Sequence, residues 1–432
     1  MLLLIVLLTA ASDAATASGV KAFVGARVID GTGAAPTENA VIVVRDGRIE
    51  AVGAKVPVPP GAERIDVAGK TVIPGLINAH GHVGDVLGLR SGPELNTTQN
   101  VLRQLGLYAR YGITTVFSLG GDAEPGFRAR DAQNTPSLDR ARIHVAGPVI
   151  VAATAEEARL KVDEVAALKP DLVKIRVDDN LGTTAKMTPA VYEAVIDQAH
   201  ERGLRVGAHI YYLDDAKGVL RAGADFIAHS VRDREVDDEL IGLLKQRDVC
   251  LCPTLMREVS TFVYESEPAF FTDPFFLRDA DPAVLAELRD PKRQADMRTS
   301  RGAQEYKKAL QVASRNLQRL SDAGVRIAMG TDTGPPARFQ GYFEHMELEL
   351  MAKAGLTPRQ VLQSATRDAA LCMKAADGAG TIRPGVWADF VVLGRNPLED
   401  IRNTRTIESV WIAGNLVELG GASGAPPRPP AR

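Results

Sequence analysis

Two histidines one residue apart, His80 and His82, close an apolar run that starts at Val72 and reaches Ala79. If that run is a strand, side chains two apart share a face. Both imidazoles then converge on one point, which is how a single segment supplies two ligands to a zinc-like ion. A lone His-x-His is a weak signal, and its weight here comes from residues further along the chain. Lys174 lies inside the apolar run Leu172–Val177, His209 follows Ala208, His229 follows Ala228, and Asp332 closes Gly330-Thr331-Asp332 after Ile327–Met329. One buried histidine is more often a satisfied core residue than a ligand. Four histidines, a lysine and an aspartate at corresponding strand ends form a set suited to divalent cations.

Those side chains need a scaffold that ends many strands on one face. Apolar runs recur at Ile113–Phe117, Ile143–Val149, Leu172–Val177, Leu204–Ile210, Phe226–Ala228, Val249–Cys252 and Ile327–Met329. Amphipathic helical stretches such as Pro189–Arg202 and Val236–Gln246 separate most of them. With Val72–Ala79 the count is eight, which predicts an α/β chain built on a (β/α)8 barrel, the fold that gathers catalytic groups at the carboxyl ends of its strands. Both chain ends are β-rich instead. Ala22–Ile29 and Ala40–Val44 precede the barrel, with Asp46-Gly47 as a hairpin turn, and Phe390–Leu393 and Val410–Ile412 follow it. The expected domains are a composite β-sandwich from 20–71 and 383–420 around a barrel over 72–382. The long connection from Thr254 to Ala323 carries Phe262, Tyr264, Phe270, Phe271, Phe275 and Phe276, and reads as a lid, a substrate wall or a subunit contact.

Hydrophobic content of 45%, charged content of 24% and a net charge of −3 over 432 residues fit a globular chain and argue against nucleic-acid binding. Leu2–Leu8 followed by Ala15-Thr16-Ala17 reads as a secretory signal over 1–19, without a basic leader and too short to span a bilayer. Export to the periplasm or medium is expected; a misplaced start would leave the protein cytoplasmic. The Gly/Pro-rich end, 421–432, is expected to be a disordered tail. Cys250, Cys252 and Cys372 do not make a disulfide framework, and the first two are expected to share a strand face as small core residues.

The ordered set resembles the amidohydrolase superfamily, in particular its prolidase-like and imidazolonepropionase-like metal-dependent hydrolases, from about Lys21 to Leu419. The resemblance is carried by Val72–His82, the strand with Lys174, His209 and His229, and Gly330-Thr331-Asp332-Thr333. Ala365-Thr366-Arg367-Asp368-Ala369-Ala370 and the stretch from Gly380 to Phe390 extend it. It implies that His80, His82 and Asp332 hold one metal ion and that His209 and His229 hold a second. Lys174, carboxylated by CO2, would bridge them. An ammonium with an ordinary pKa of ~10.4 would repel two cations, whereas a carbamate shares two oxygens with them. Otherwise Lys174 snorkels to the barrel mouth or pairs with Asp178 or Asp179.

The ions, zinc first but manganese, cobalt or iron as well, would acidify a bridging water to hydroxide. Asp332 would take its proton and pass it to the leaving nitrogen. Tyr211, two residues past His209, is the expected oxyanion and substrate contact, with Tyr212 as competitor. Arg176 and Arg232 each offer a bidentate site for a substrate carboxylate, or plain salt bridges. His345 approaches the pocket mouth or packs internally, while His144 and His200 read as structural. The implied activity is hydrolysis of the amide bond of a dipeptide or N-acyl amino acid, in a chain that self-associates. A lactone, phosphotriester or cyclic-amide hydrolase would use the same centre, and a non-catalytic scaffold is the reading from another class.

Overall fold

The computed structural model describes residues 19–420. The expected signal segment, apart from Gly19, and the expected tail at 421–432 lie outside the described residues. The chain forms an α/β fold whose parallel strands alternate with helices, flanked by an eight-stranded sheet drawn from both ends.

The flanking sheet combines Val20–Val28, Thr37–Arg45, Arg48–Gly53, Glu63–Asp66 and Thr71–Pro74 with Phe390–Leu393, Ile407–Ile412 and Asn415–Leu416. Thr71–Pro74 runs antiparallel to Phe390–Leu393 and joins the two ends. Alternating apolar residues face one core, where the ring of Phe23 meets Phe390 edge-on at 4.8 Å and Trp411 at 4.7 Å. Asp46 and Gly47 both take positive φ, 49° and 77°, as a tight turn between right-twisted strands requires.

Parallel strands follow at Leu76–Gly81, Ile113–Ser118 and Arg142–Val145 in one sheet. Val173–Arg176, Val206–His209, Phe226–Ala228 and Cys250–Cys252 pair in order in another. Single parallel bridges extend this pairing: Ile150 with Ile175, Leu251 with Ile327, and Gly81 with Thr333. Two expectations change. The run Val72–Ala79 is not one strand, because the chain leaves the flanking sheet at Gly75 and enters the parallel one. Gly75 passes so close to the neighbouring strand that a Cβ there would lie 2.0 Å from Thr114 Oγ1. Ile327–Met329 is not a regular strand either. It touches its neighbour at one isolated bridge, Leu251 with Ile327, and the backbone turns into the left-handed region further on at Asp332, φ 59°.

The connection after Cys252 is helical, from Leu255–Ser260 through the 22-residue helix Arg301–Asp322. Ala303, Tyr306, Ala309, Ala313, Leu317 and Leu320 form the buried stripe of that helix at helical spacing. Phe270, Phe271 and Phe276 are buried against Phe339, Tyr342 and Phe343, so this aromatic segment packs as core. Among the described residues no helix is long and apolar enough to cross a membrane.

The cysteines depart from expectation. Cys250 is not a free core thiol: it is disulfide-bonded to Cys372 in the helix Arg367–Cys372, and Cys252 alone stays free and buried.

Candidate metal centre

Residues in or just beyond four of the parallel strands meet near Asp332, which lies in the irregular segment after Met329. His80 Nε2 lies 3.1 Å from Lys174 Nζ and 3.5 Å from Asp332 Oδ1, while His82 Nε2 lies 2.8 Å from that oxygen. One ligand atom from each of His80, His82 and Asp332 fits within 4.8 Å of the others. Alongside, His209 Nδ1 and His229 Nε2 face each other at 2.9 Å. The His80 and His229 ring centroids are 4.6 Å apart, so the two groups are contiguous.

Each ring is turned by a partner on its far side. His82 Nδ1 meets the Gly120 carbonyl at 2.9 Å, and His209 Nε2 meets the Asp178 carboxylate at 2.7 Å. A carbonyl and a carboxylate only accept, so these nitrogens carry the hydrogens. His209 Nδ1 is left with a bare lone pair, while His82 has an acceptor at both ring nitrogens and turns Nε2 toward the Asp332 carboxylate at 2.8 Å. His229 Nδ1 meets the Thr254 hydroxyl at 2.7 Å, and its Nε2 faces the bare Nδ1 of His209 at 2.9 Å. Rings held from behind, with their inner nitrogens converging beside a carboxylate, are the arrangement of metal-ligating histidines, and the residues present fit a divalent ion.

Electrostatics agree with that donor set. Burial lowers the imidazoles of His80 and His229, and brings His209 down to about 4 although Asp178 opposes it, so all three are neutral at pH 7. Burial also lowers the Lys174 ammonium to about 8. It works the other way on Asp332, but Arg338 and His82 outweigh it and hold that carboxyl well below the usual range. Arg338 Nη1 reaches Asp332 Oδ2 at 2.5 Å.

The backbone beneath is strained and braced. His229, Thr254 and Asp332 sit at φ 72°, 49° and 59°, conformations that non-glycine residues adopt only when their surroundings enforce them. Asn78 accepts from the backbone N–H groups of His80 and Thr331, tying the first strand to the segment that carries Asp332. Glu344, wholly buried in the helix Tyr342–Lys353, accepts from Asn78 Nδ2 and Thr331 Oγ1 at 2.7 Å and from Thr333 Oγ1 at 2.5 Å.

A cavity of about 350 Å³ opens over His80, His82, Lys174, His209 and Asp332, and Arg176 lines it too. Other expected contacts point elsewhere. Arg232 is buried against the carbonyls of Ile210 and Ser230 and paired with Glu258 at 3.0 Å. Tyr211 and Tyr212 pack with each other and Tyr306 in a neighbouring cluster, and Tyr212 donates to Asp179; neither lines the cavity. His345 is buried between Thr404 and the Tyr111 carbonyl, away from the centre, because its helix turns that face toward the chain's end. Asp178 engages His209, not Lys174. His144 meets Asp171 and stacks on Phe117, and His200 meets Asp225. The reading from sequence missed Arg338, Thr254, Asn78 and Glu344. The only signal in reach was Thr331 and Thr333 flanking Asp332 at strand spacing.

A family model described as the amidohydrolase family matches residues 71–417. Ochratoxinase of Aspergillus niger is 25% identical over 288 residues, 64% of this chain and 52% of that protein, so the chain spans about half that relative's length. A solved Bifidobacterium longum structure, taken to be a prolidase, superposes with a TM-score of 0.74 at 27% identity, covering 94% of this chain and 96% of that one. A Xaa-Pro dipeptidase with methionine bound in its active site gives 0.75 at 21% identity, over 92% and 100%.

Proposed function

The chain belongs to the amidohydrolase family, and on that basis we propose that it is a metal-dependent hydrolase of carbon–nitrogen bonds acting on a dipeptide or an N-acyl amino acid. One observation carries the reading: the inward ring nitrogens of four histidines and the Asp332 carboxylate gather around the Lys174 amine beneath an open cavity. The dipeptide part leans on the Bifidobacterium longum relative. The parallel strands are read as one closed (β/α)8 barrel, supported by the bridges that run from sheet to sheet and back to Gly81, and the flanking sheet as a small β-sandwich.

In this reading His80, His82 and Asp332 would hold one ion, and His209 and His229 would hold the other. Lys174 would join the set as a carbamate; burial lowers its ammonium to about 8, which raises the share of neutral amine able to take up CO2 with loss of a proton. When bound, divalent ions such as zinc supply Lewis acidity and acidify a water. Asp332, kept ionised by Arg338, accepts the proton of the attacking water and carries it to the leaving nitrogen. Arg338 also holds the carboxylate in place between the two transfers. Export belongs to the same proposal, supported by the Cys250–Cys372 bond, since such bonds persist in oxidising compartments.

The test is amine release from a library of dipeptides and N-acyl amino acids by zinc-loaded protein, with a chelated control. Metal-dependent release from a related subset is expected. A protein shown to hold its metal that releases nothing would overturn the reading and turn attention to lactones and phosphotriesters.

A further inference from the structure

The cavity over the metal centre is asymmetric in a way that amide hydrolysis alone does not require. Two guanidinium groups reach it, and only one is engaged with an acid: Arg338 lies on Asp332. Arg176 forms no ion pair among the described residues, and its one polar contact is Thr184 Oγ1 at 3.4 Å. It stands two residues beyond Lys174 on the strand Val173–Arg176, hence on the same face, and in register beside His209. An uncommitted cation is thus fixed next to the reacting centre by a strand.

The neighbouring wall is apolar. Ile150 bridges Ile175, which sets Val149 and Val151 alongside Lys174 and Arg176. These two valines line the cavity and stay 38% and 44% exposed, a large apolar surface for side chains at the mouth of a site, and Leu119 lies beneath them.

We propose that the substrate carries a carboxylate, received by Arg176, and an apolar side group, received by Val149, Val151 and Leu119. One planar fork matches one carboxylate bidentately, whereas a phosphate dianion would call for more positive charge than Arg176 supplies. Within the proposed activity, on which the word substrate rests, this narrows the class to amides of apolar amino acids with a free carboxyl group. Arg176 is then a specificity-determining residue.

The test uses ligands that cannot be hydrolysed. Calorimetry on the metal-loaded protein compares 4-methylpentanoate with its uncharged counterpart 4-methylpentan-1-ol, in the natural chain and in Arg176→Met, with metal content measured in both. The natural chain should prefer the acid. R176M should bind the acid at least about tenfold more weakly, as expected for losing a charge-assisted pair, with the alcohol and the metal content unchanged. R176K, which keeps the charge without the fork, should recover part of the loss. Equal affinity of both proteins for the acid, or equal losses for acid and alcohol, would overturn the assignment. If the natural chain shows the Arg176-dependent preference yet hydrolyses no amide, the proposed activity fails and the carboxylate site stands. If it hydrolyses amides with no such preference, the reverse holds.

Discussion

Asp178 and His209 show how single side chains set the state of the centre. The carboxylate fixes a hydrogen on His209 Nε2, and burial outweighs it to hold the imidazole near about 4. In the unfolded chain the same ring titrates near its ordinary value of about 6.5. Between those values the unfolded chain binds a proton that the folded chain does not, so stability falls as pH drops through that window. His80 and His229, also lowered chiefly by burial, act in the same direction. His82 opposes them, because the Asp332 hydrogen bond overcomes burial and raises it. Outside the ligand set, Asp122 and Glu347, raised by burial to about 6 and about 8, bind protons in the folded chain and pull stability the other way, so the rings are read through metal affinity instead. That affinity should decline from pH 7 to pH 4.5, since only neutral imidazole ligates. Titration with a divalent ion that shows equal affinity at both pH values would contradict this assignment of charge states.

At the scale of elements, the centre depends on how the strand Leu76–Gly81, the segment Ile327–Thr333 and the helix Tyr342–Lys353 are clamped together. Glu344 is the clamp: it takes hydrogen bonds from Asn78, Thr331 and Thr333 and from the Gly341 backbone N–H. Truncation to alanine strands several buried donors, at roughly 1–3 kcal/mol for each that finds no new partner. Glu344→Ala should therefore cost about 3 kcal/mol or more in chemical denaturation. It should also weaken metal retention against a chelator, because His80 and Asp332 lose their common brace. Glu344→Gln, with one acceptor fewer but the same shape, should recover part of both. Loss of stability with undiminished metal binding would separate the clamp from the centre. None of this was legible in the sequence. Apolar runs bounded by turns give Ile113–Ser118, Phe226–Ala228 and Cys250–Cys252 nearly to the residue, because a buried parallel strand is continuously apolar. The histidines and Asp332 could be picked out because they close such runs, and Lys174 because it interrupts one. Arg338 and Glu344 could not, and Asp178 was singled out with the wrong partner, since polar residues in loops and helices look alike until the fold decides what they touch. Gly75 was hidden for the related reason that hydrophobicity does not register a change of sheet.

For the whole molecule, the Cys250–Cys372 bond links the strand Cys250–Cys252 to the helix Arg367–Cys372 across 122 residues of sequence. The loop it closes includes the long helical connection and Asp332, so the bond restrains the unfolded chain over the stretch that must find its place beside His80. On the chain-entropy account a closed loop of this length is worth about 5 kcal/mol, and for a chain of this size that corresponds to about 6 °C in the unfolding midpoint. Alkylation under denaturing conditions should label one cysteine, Cys252, before reduction and three after it. Replacing Cys250 and Cys372 together by serine should lower the midpoint by about that amount and abolish its sensitivity to reductant. The two serines would leave the metal residues untouched, so metal content should follow stability and no more. Three labelled cysteines in unreduced protein would show that the bond does not form, and export would then lose its support from this pair.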